Sequence, residues 1–379
     1  MMLVITRQFT KDILTSTLFA LVALVSLFAF FDLVAQLDSI GNGRTLGQAF
    51  ILTALTLPGR VYQVMPLAAL LSSIYIMSRW AASSEFTVLR VAGLSPLRLC
   101  KTLSVSAIVL VGVTYLFGEV VAPPSEKYAV ELKTLAKSQN LTARGYSTGV
   151  WLRDVFVENE VTYDRYINVS YVRADNNQQT GPWRVFEFDQ KGALHRLITS
   201  ESATYQGKRG WVLHGTTVDQ YPEIPREENV DVSALAVQNT RLEEFEFNSS
   251  LGPDMFAVFT SRPDDMSLRD LSRFITHLKN NNQDTEKQEI IFWTKLFYPL
   301  STLVMLALSM PFAYMNARSG GMAIKMFAGI MIGITFYALS NIFSFLGSTT
   351  MLSPMWAALL PTLVMLIVGG IGLVLVEKR

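Results

Sequence analysis

Six long apolar stretches, three before and three after a polar segment at residues 123–289, constrain this chain more than any other feature. Each is close to the ~20 apolar residues that a helix needs to cross the hydrocarbon layer of a membrane. A buried helix of a soluble protein usually keeps a polar face, whereas most charges here fall between the stretches. The sequence therefore predicts six membrane-spanning helices, at residues 13–37, 49–77, 103–121, 290–311, 322–346 and 354–376.

The charges are distributed unevenly between the polar segment and the rest of the chain. Half of the residues are hydrophobic and 17% are charged. Residues 123–289 carry 19 Lys and Arg against 25 Asp and Glu, so this insert is mildly acidic and the remainder is basic. A nucleic-acid partner would favour a strongly basic face, and this balance argues against one.

The short loops predict the orientation of the chain, because Lys and Arg near span ends are retained on the cytoplasmic side. With six crossings, the loops on one side hold ten basic residues and the opposite short loops hold only Arg44. Both termini are thus expected in the cytoplasm, and the insert on the opposite side of the membrane, which is the periplasm if the host is a Gram-negative bacterium. The ten are Arg7, Lys11, Arg79, Arg90, Arg98, Lys101, Arg318, Lys325, Lys378 and Arg379.

The insert changes from long apolar stretches to short runs with partial alternation, separated by turn residues. This pattern predicts an all-β domain of the sandwich or jelly-roll type. It does not give the strand order. The runs lie at residues 150–157, 161–172, 183–188, 194–204 and 211–220.

The end of the insert has helical periodicity. Ser267 and Asp270 are candidate caps of a helix whose apolar residues recur at helical spacing, and the polar run at residues 279–284 ends it. Two interpretations remain open: a connector that packs on the membrane surface or the β domain, and a hinge that transmits motion between the β domain and the fourth span.

These patterns divide the chain into four parts. Residues 1–122 hold the first three spans with a cytoplasmic helix near residues 79–95, and residues 123–266 form the β domain with a helical lead-in. Residues 267–289 form the connector, and residues 290–379 hold the last three spans.

Motifs for ATP hydrolysis and for zinc-dependent hydrolysis are missing from the sequence. It has no GxxxxGK[ST] phosphate loop and no HExxH. His195, His214 and His277 lack metal-ligand spacing and are interpreted as ordinary surface or strand residues. We therefore expect neither an enzyme nor a metal or cofactor site, and any ATP hydrolysis requires a separate subunit.

Charged residues near the membrane are the remaining candidates for function, because they are costly there. Arg60 lies within the second stretch, and either anchors that helix at the interface or contacts an anionic lipid or substrate phosphate. Asp32 and Glu119 lie near the same boundary and are interpreted as interfacial residues.

Three lysines follow the third stretch on a predicted helical continuation. Lys127, Lys133 and Lys137 form either a solvated helix face or a basic collar that meets the phosphates of an amphiphile. Lys133 and Lys137 share one face of the helix because they are four residues apart.

The cytoplasmic loop from Arg79 to Lys101 predicts a short amphipathic helix ending near Gly93. Its apolar side chains favour contact with membrane or a partner, and Glu85 and Arg90 are available for a charged contact. For an exporter without its own ATPase, such a helix is where a separate motor would act.

Four segments resemble one known family: SEFTVLRVAGLS at residues 84–95, GEVVAP at 118–123, the stretch from LSRFITHLKNNNQD to FWTKLFYPLS at 271–301, and ITFYALSNIF at 334–343. Together with the three-insert-three layout, they identify the chain as a member of the LptF/LptG family of lipopolysaccharide export permeases, with greater similarity to its LptG branch. The resemblance covers nearly the whole chain.

The resemblance implies a heterodimer with an LptF-type sister permease, driven by an LptB-type ATPase dimer that holds ATP and magnesium. It implies extraction of lipopolysaccharide from the inner membrane. The β domain would then dock a membrane-anchored LptC-type jelly roll and an LptA-type bridge toward the outer membrane. The first and fifth spans would form lateral gates with the sister subunit.

The same resemblance assigns candidate site residues. The coupling helix to the ATPase would carry Arg79, Glu85, Arg90 and Gly93. Relatives in the family can have lysines late in the first span and just after it, where this chain has Asp32 and Asp38. The positive charge for lipopolysaccharide phosphates is therefore expected from Arg60, Lys127, Lys133 and Lys137.

Three other classes compete with the exporter. A MacB-like mechanotransmitting permease also has a large insert, but its usual layout is one span before the insert and three after it. A membrane-anchored lipid-modifying enzyme needs a convergent set of catalytic side chains. A secondary transporter needs carboxylates near mid-membrane, and here they cluster at the span edges.

Overall fold

The computed structural model describes residues 2–37, 40, 45–83, 96–140, 150–158, 161–170, 179–222, 236–249, 251–252, 262–281, 283–314, 321–349 and 352–377. The chain forms two compact units. The first contains residues 1–129, 263–275 and 284–379, and the second contains residues 130–262 and 276–283.

Six helices of the described chain are long and apolar enough to cross a membrane, which confirms the predicted number. They are named spans 1 to 6: Thr6–Leu37, Leu46–Ala82, Leu103–Val130, Glu286–Ala313, Met322–Thr349 and Pro354–Leu375. The underlying helices are Met2–Leu37, Leu46–Ala82, Pro96–Tyr115, Ala122–Asn140, Glu286–Leu308, Pro311–Tyr314, Met322–Thr349 and Pro354–Glu377. A π-helical turn, Leu116–Val121, joins the two helices of span 3.

Spans 2 and 4 form the centre of the first unit. In the most apolar window of each span, 72% of span 2 and 61% of span 4 is buried, against none of span 1 and 17% of span 5. Span 2 starts at a capping box in which Thr45 and Gln48 exchange hydrogen bonds, and its helix continues through Pro58 and Pro66. Spans 1 and 5 therefore keep large apolar surfaces uncovered by this chain.

Small residues bring span 5 close to span 2. A Cβ atom on Gly329 would lie 2.6 Å from Ile74 Cδ1, and one on Gly333 would lie 2.4 Å from Leu67 Cδ1. The two glycines are four residues apart, the spacing that lets helices approach closely in membranes. Their missing side chains thus make room for the leucine and isoleucine of span 2.

The second unit contains the β domain, which is an antiparallel half-barrel sheet in the order β1-β2-β4-β5-β7-β6-β3, with β8 on β7. β7 is its central strand: β5 and β6 pair with its two halves along one edge and β8 pairs along the other. The all-β prediction is confirmed. The strands are Val150–Glu158, Val161–Val169, Gln179–Thr180, Trp183–Phe188, Leu194–Ser200, Ser202–Tyr205, Trp211–Gln220 and Gln238–Phe247.

Two tryptophans organise the core of the β domain. Trp183 and Trp211 are fully buried with their ring centroids 5.2 Å apart. Each indole N–H has a partner: Trp183 donates to Thr180 Oγ1 at 2.6 Å, and Trp211 donates to the Leu251 carbonyl at 2.7 Å. The rings contribute large buried areas without leaving a polar atom unsatisfied.

A buried arginine joins the edge of this core to a carboxylate. Arg165 donates from Nε to Glu187 Oε1 at 2.8 Å, and both side chains are at most 3% exposed. The guanidinium also lies over the rings of Phe156 and Phe247, at 4.0 and 4.3 Å from their centroids. Burial lowers the pKa of Arg165, opposed by the charge of Glu187.

We expect Arg165→Leu to lower the free energy of unfolding of the β domain by about 3–5 kcal/mol, because it leaves a buried carboxylate without one of its partners. Arg184→Leu is the matched control on the neighbouring strand, since Arg184 is exposed and should change stability by less than about 0.5 kcal/mol. Pulse proteolysis of the detergent-solubilised chain in increasing urea measures both. Equal effects of the two substitutions would contradict the assigned role.

Candidate functional site

Arg60 of span 2 forms a two-pronged ion pair with Asp32 of span 1. Its Nε and Nη2 atoms donate to the two Asp32 carboxylate oxygens at 2.7 and 2.6 Å, and its Nη1 donates to Gln63 Oε1 at 3.0 Å. The sequence predicted an interfacial anchor or a phosphate contact for Arg60 and an interfacial position for Asp32, but no pairing between them. The structure shows that each neutralises the other and that together they join two spans.

A second polar contact joins the same two spans deeper in the helix pair. The hydroxyls of Thr17 and Ser72 are 2.6 Å apart, and both residues are buried. Neither hydroxyl has water as an alternative partner in a hydrocarbon environment, so the contact favours one rotational setting of span 1 against span 2.

The π-helical turn of span 3 carries Gly118 and Glu119. Gly118 faces the ring of Tyr62, and a Cβ atom there would lie 2.6 Å from two ring carbons. Glu119 reaches the connector helix, Leu268–Asn280, where the Leu268 N–H donates to its Oε2 at 2.7 Å. A carboxylate at this position accepts a hydrogen bond from an N–H that has no partner within the helix, and its negative charge interacts favourably with the positive end of the helix dipole.

The first turn of the connector helix has two further stabilising contacts. Ser267 Oγ accepts the Asp270 N–H at 3.1 Å, so the predicted cap is confirmed. Lys127 donates to Asp270 Oδ2 at 2.8 Å. Burial alone would raise the pKa of Asp270, but the hydrogen bond and charge of Lys127 outweigh it and hold that pKa below its ordinary value.

Lys295 of span 4 completes this group, which we call the connector cluster: Glu119, Lys127, Ser267, Asp270 and Lys295. Lys295 is 8% exposed, donates to the Met266 carbonyl, and lies 3.9 Å from Glu119 Oε1. Lys295 was not among the predicted site residues. A lysine inside a predicted span was the available signal, because such a charge requires a partner.

Tyrosine hydroxyls donate to backbone carbonyls across spans 2 and 4. Pro299 has no N–H to give the Lys295 carbonyl four residues earlier, and the Tyr62 hydroxyl donates to that carbonyl at 3.5 Å. In return, the Tyr298 hydroxyl of span 4 donates to the Gln63 carbonyl of span 2 at 2.5 Å. The two rings contact each other with centroids 4.8 Å apart. These contacts fix spans 2 and 4 to each other.

A cavity of about 560 Å³ lies beside these tyrosines, between spans 2, 4 and 5 of the first unit. Its apolar wall includes Ile291, Phe336 and Phe345. A stripe of small polar residues on span 5 faces the same space, and charged side chains also line it. The stripe is Ser340, Asn341, Ser344 and Ser348, and the charged residues are Glu126, Asp264, Asp265, Lys287 and Lys295. The lining suits an amphiphile better than a small polar metabolite.

The remaining predicted site residues are described only in part. Lys133 lies on the helix Ala122–Asn140, is half-buried, and has no ion pair within the described residues. Lys137 lies on the same helix, but its side chain is outside the described residues, as are Glu85, Arg90 and Gly93. Arg79, in the last turn of span 2, donates to Asp12 at 3.4 Å.

Metal-ligating side chains do not converge in the described parts of the chain, where no group of three His, Cys, Asp or Glu could hold an ion.

His277 differs from the expectation of an ordinary surface or strand residue. His195 and His214 lie on strands β5 and β7, as expected, but His277 is on the connector helix and only 9% exposed. It lies on the same helix face as the buried Phe274 and Leu278. The spacing of three residues from Phe274 was the signal for its burial.

The chain matches the family described as lipopolysaccharide export system permease LptF/LptG over residues 7–375. It belongs to this family. The lipopolysaccharide export system permease protein LptG of Haemophilus influenzae is 28% identical over 370 residues, covering 95% of both chains. The LptG protein of Escherichia coli K12 is 27% identical over 365 residues, covering 95% of this chain and 94% of the relative.

Membership of the LptF/LptG family confirms the resemblance seen in the four sequence segments. It agrees with the six spans and the inserted β domain of the structure. The chain is accordingly a membrane permease subunit.

We expect Gly118→Ala to lower the thermal midpoint of the detergent-solubilised permease by destabilising the fold by about 1–3 kcal/mol, because the new methyl group meets the Tyr62 ring. Gly112→Ala is the matched control in the same span, since a Cβ there has no neighbour within 4 Å. That control should be neutral or stabilising, as alanine favours helix over glycine. A neutral Gly118→Ala would disprove the close contact.

His277 predicts a pH dependence of stability. Burial lowers its pKa below the ordinary ~6.5, so folding favours the neutral ring. This contribution is fully present above pH ~6.5 and is lost as pH falls through the lower folded pKa. We expect urea stability of the β domain to fall as the pH drops below about 6.5, and His277→Gln to reduce that slope. An unchanged slope in the variant would assign the effect to other groups.

Proposed function

We propose that this chain is the LptG-type permease subunit of an ABC-type exporter that extracts lipopolysaccharide from the inner membrane and passes it to a periplasmic bridge. The end-to-end family match carries the proposal. The six-span layout with a central insert argues against the one-plus-three layout of a MacB-like permease. Residues 7–375 lie within the match, so spans and β domain belong to one permease.

The uncovered spans support a heterodimer with an LptF-type sister permease. Spans 1 and 5 expose rows of large apolar side chains, whereas most of the apolar side chains of spans 2 and 4 are buried. We propose that these rows face the sister subunit and form lateral gates through which lipid enters. On span 1 they include Phe19, Val22, Phe30 and Phe31, and on span 5 Phe327, Ile334, Tyr337 and Phe345.

The proposed phosphate contacts are Arg60, Lys127, Lys133 and Lys137. Arg60 and Lys127 are each held by an intrachain carboxylate, so a lipid phosphate would have to compete with Asp32 or Asp270 for them. Lys133 has no such competitor among the described residues. We therefore propose that Lys133 meets the phosphates first and that Arg60 contributes mainly by holding span 1.

The motor is proposed to be an LptB-type ATPase dimer that binds ATP and magnesium itself. Basic residues concentrate in the loops on one side of the spans, which supports a cytoplasmic position for that side and for both termini. Arg79, Glu85, Arg90 and Gly93 are the proposed coupling residues. Glu85 is the acidic contact among them.

The β domain is proposed to lie in the periplasm and to pair with an LptC-type jelly roll and, through it, an LptA-type bridge. Strand β1 is an edge strand of the half-barrel, and Trp151 and Val157 on it are 56% and 60% exposed. An open edge with exposed apolar side chains suits addition of a strand from another β domain.

Co-expression with the sister permease and ATPase tests this function. We expect the ATPase to co-purify in mild detergent and lipopolysaccharide to stimulate ATP hydrolysis. Glu85→Lys should abolish co-purification of the ATPase, because it reverses a charge proposed to contact it. A chain that purifies without an ATPase, or an ATPase indifferent to lipopolysaccharide, would refute the proposal.

Charge reversal tests the phosphate contacts. Lys133→Glu should reduce photo-crosslinking to lipopolysaccharide by about tenfold, equivalent to ~1.4 kcal/mol. Lys191→Glu is the control, because Lys191 is exposed in a turn of the β domain and without an ion pair in the described structure. Equal crosslinking in the two variants would remove Lys133 from the site.

A further inference from the structure

We propose that Glu119 and Lys295 are positioning residues that fix the start of the connector helix to spans 3 and 4, so that movement of these spans displaces the helix during export. The inference rests on the proposed function and deepens it by naming the residues through which the membrane helices act on the connector. It favours the hinge interpretation of this segment over a passive connector.

The contacts converge on the first turn of the connector helix from two different spans. Glu119 of span 3 accepts the Leu268 N–H at 2.7 Å, and Lys295 of span 4 donates to the Met266 carbonyl. These two backbone positions flank Ser267, which already caps the helix. Ser267 accepts the Asp270 N–H, whereas the Leu268 N–H has its partner on span 3. The capping of the first turn is therefore shared with the spans, and this attaches the helix start to them.

The charges of the pair are more costly than a structural contact requires. Lys295 is 8% exposed and lies within a membrane span, where an uncompensated charge is strongly unfavourable. A neutral side chain could make the same type of hydrogen bond at lower cost. Charge-assisted hydrogen bonds are stronger than neutral ones, so the charges suit an attachment that must withstand displacement.

The pair also has room to change its separation. The Lys295 Nζ atom is 3.9 Å from Glu119 Oε1, and this oxygen is buried without a hydrogen bond. A charged hydrogen bond of this type is about 2.8 Å long. A relative shift of spans 3 and 4 by about 1 Å would close or open the pair, which makes the contact sensitive to span movement.

The connector helix is long enough to carry such a displacement into the second unit. Its 13 residues correspond to about 20 Å of helix, and residues 276–283, which include its last turn, belong to the second unit. There His277 and Leu278 of the helix are buried. The helix start is therefore attached to the spans, and its end belongs to the second unit.

The test measures lipopolysaccharide delivered per ATP hydrolysed by the assembled exporter in liposomes, with a soluble bridge protein as acceptor. We expect Glu119→Gln and Lys295→Met each to lower this ratio at least about fivefold, with ATP hydrolysis within about twofold of wild type. Glu119→Gln retains an oxygen for the Leu268 N–H and removes only the charge. The double variant should be no worse than either single one, because the two residues act as a unit.

Matched controls and a second variant separate positioning from folding. Glu286→Gln and Lys191→Met carry the same chemical changes at exposed positions and should leave the ratio unchanged. Glu119→Asp keeps the charge but has a shorter side chain. It should lower the amount of lipopolysaccharide delivered per ATP hydrolysed, with a smaller change in thermal midpoint than Glu119→Gln causes. An unchanged ratio in both single variants overturns the proposal, as does a parallel fall of hydrolysis, delivery and midpoint. Failure of the wild-type assembly to deliver lipopolysaccharide would instead refute the proposed function.

Discussion

The hydrocarbon layer gives polar groups no hydrogen-bonding partner, and the contacts of the membrane unit follow from this constraint. Arg60 is paired with Asp32, and Lys295 lies near Glu119 and donates to the Met266 carbonyl. The Lys295 carbonyl, which has no helical partner because of Pro299, accepts the Tyr62 hydroxyl. Each partner comes from another span or from the connector. The requirement to satisfy single polar groups therefore also decides which helices are joined firmly, and spans 2 and 4 become the fixed centre around which the others pack.

The sequence predicted the elements of this fold because each rests on a local property. Span number followed from apolar length, the β character of the insert from short runs between turns, and the start of the connector from Ser267 and Asp270. Such signals need no knowledge of which segments meet. The half-barrel order was not predictable, because β7 pairs with β5, β6 and β8 through contacts that no strand encodes alone.

The candidate site was predicted less completely for the same reason. Arg60 and Lys127 were recognised as exceptional cations, but their partners lie 28 and 143 residues away in the chain, and periodicity does not reach that far. Lys295 was missed although it interrupts an apolar span. A systematic search for the counter-charge of every residue of this kind would have suggested Glu119, since both belong to the small set of ionisable groups within the predicted spans.

The π-helical turn at Leu116–Val121 gives span 3 a register that a regular helix would not have. Such a turn contains one more residue than an α-helical turn of the same rise. The turn therefore takes up one extra residue without the rotation of about 100° that an added residue gives a regular helix. Deleting one residue there would restore the regular ladder and leave Lys127 on the side facing Asp270. A deletion between the turn and Lys127 would instead rotate Lys127 away from Asp270, so span 3 tolerates the loss of one residue better at this turn than beyond it.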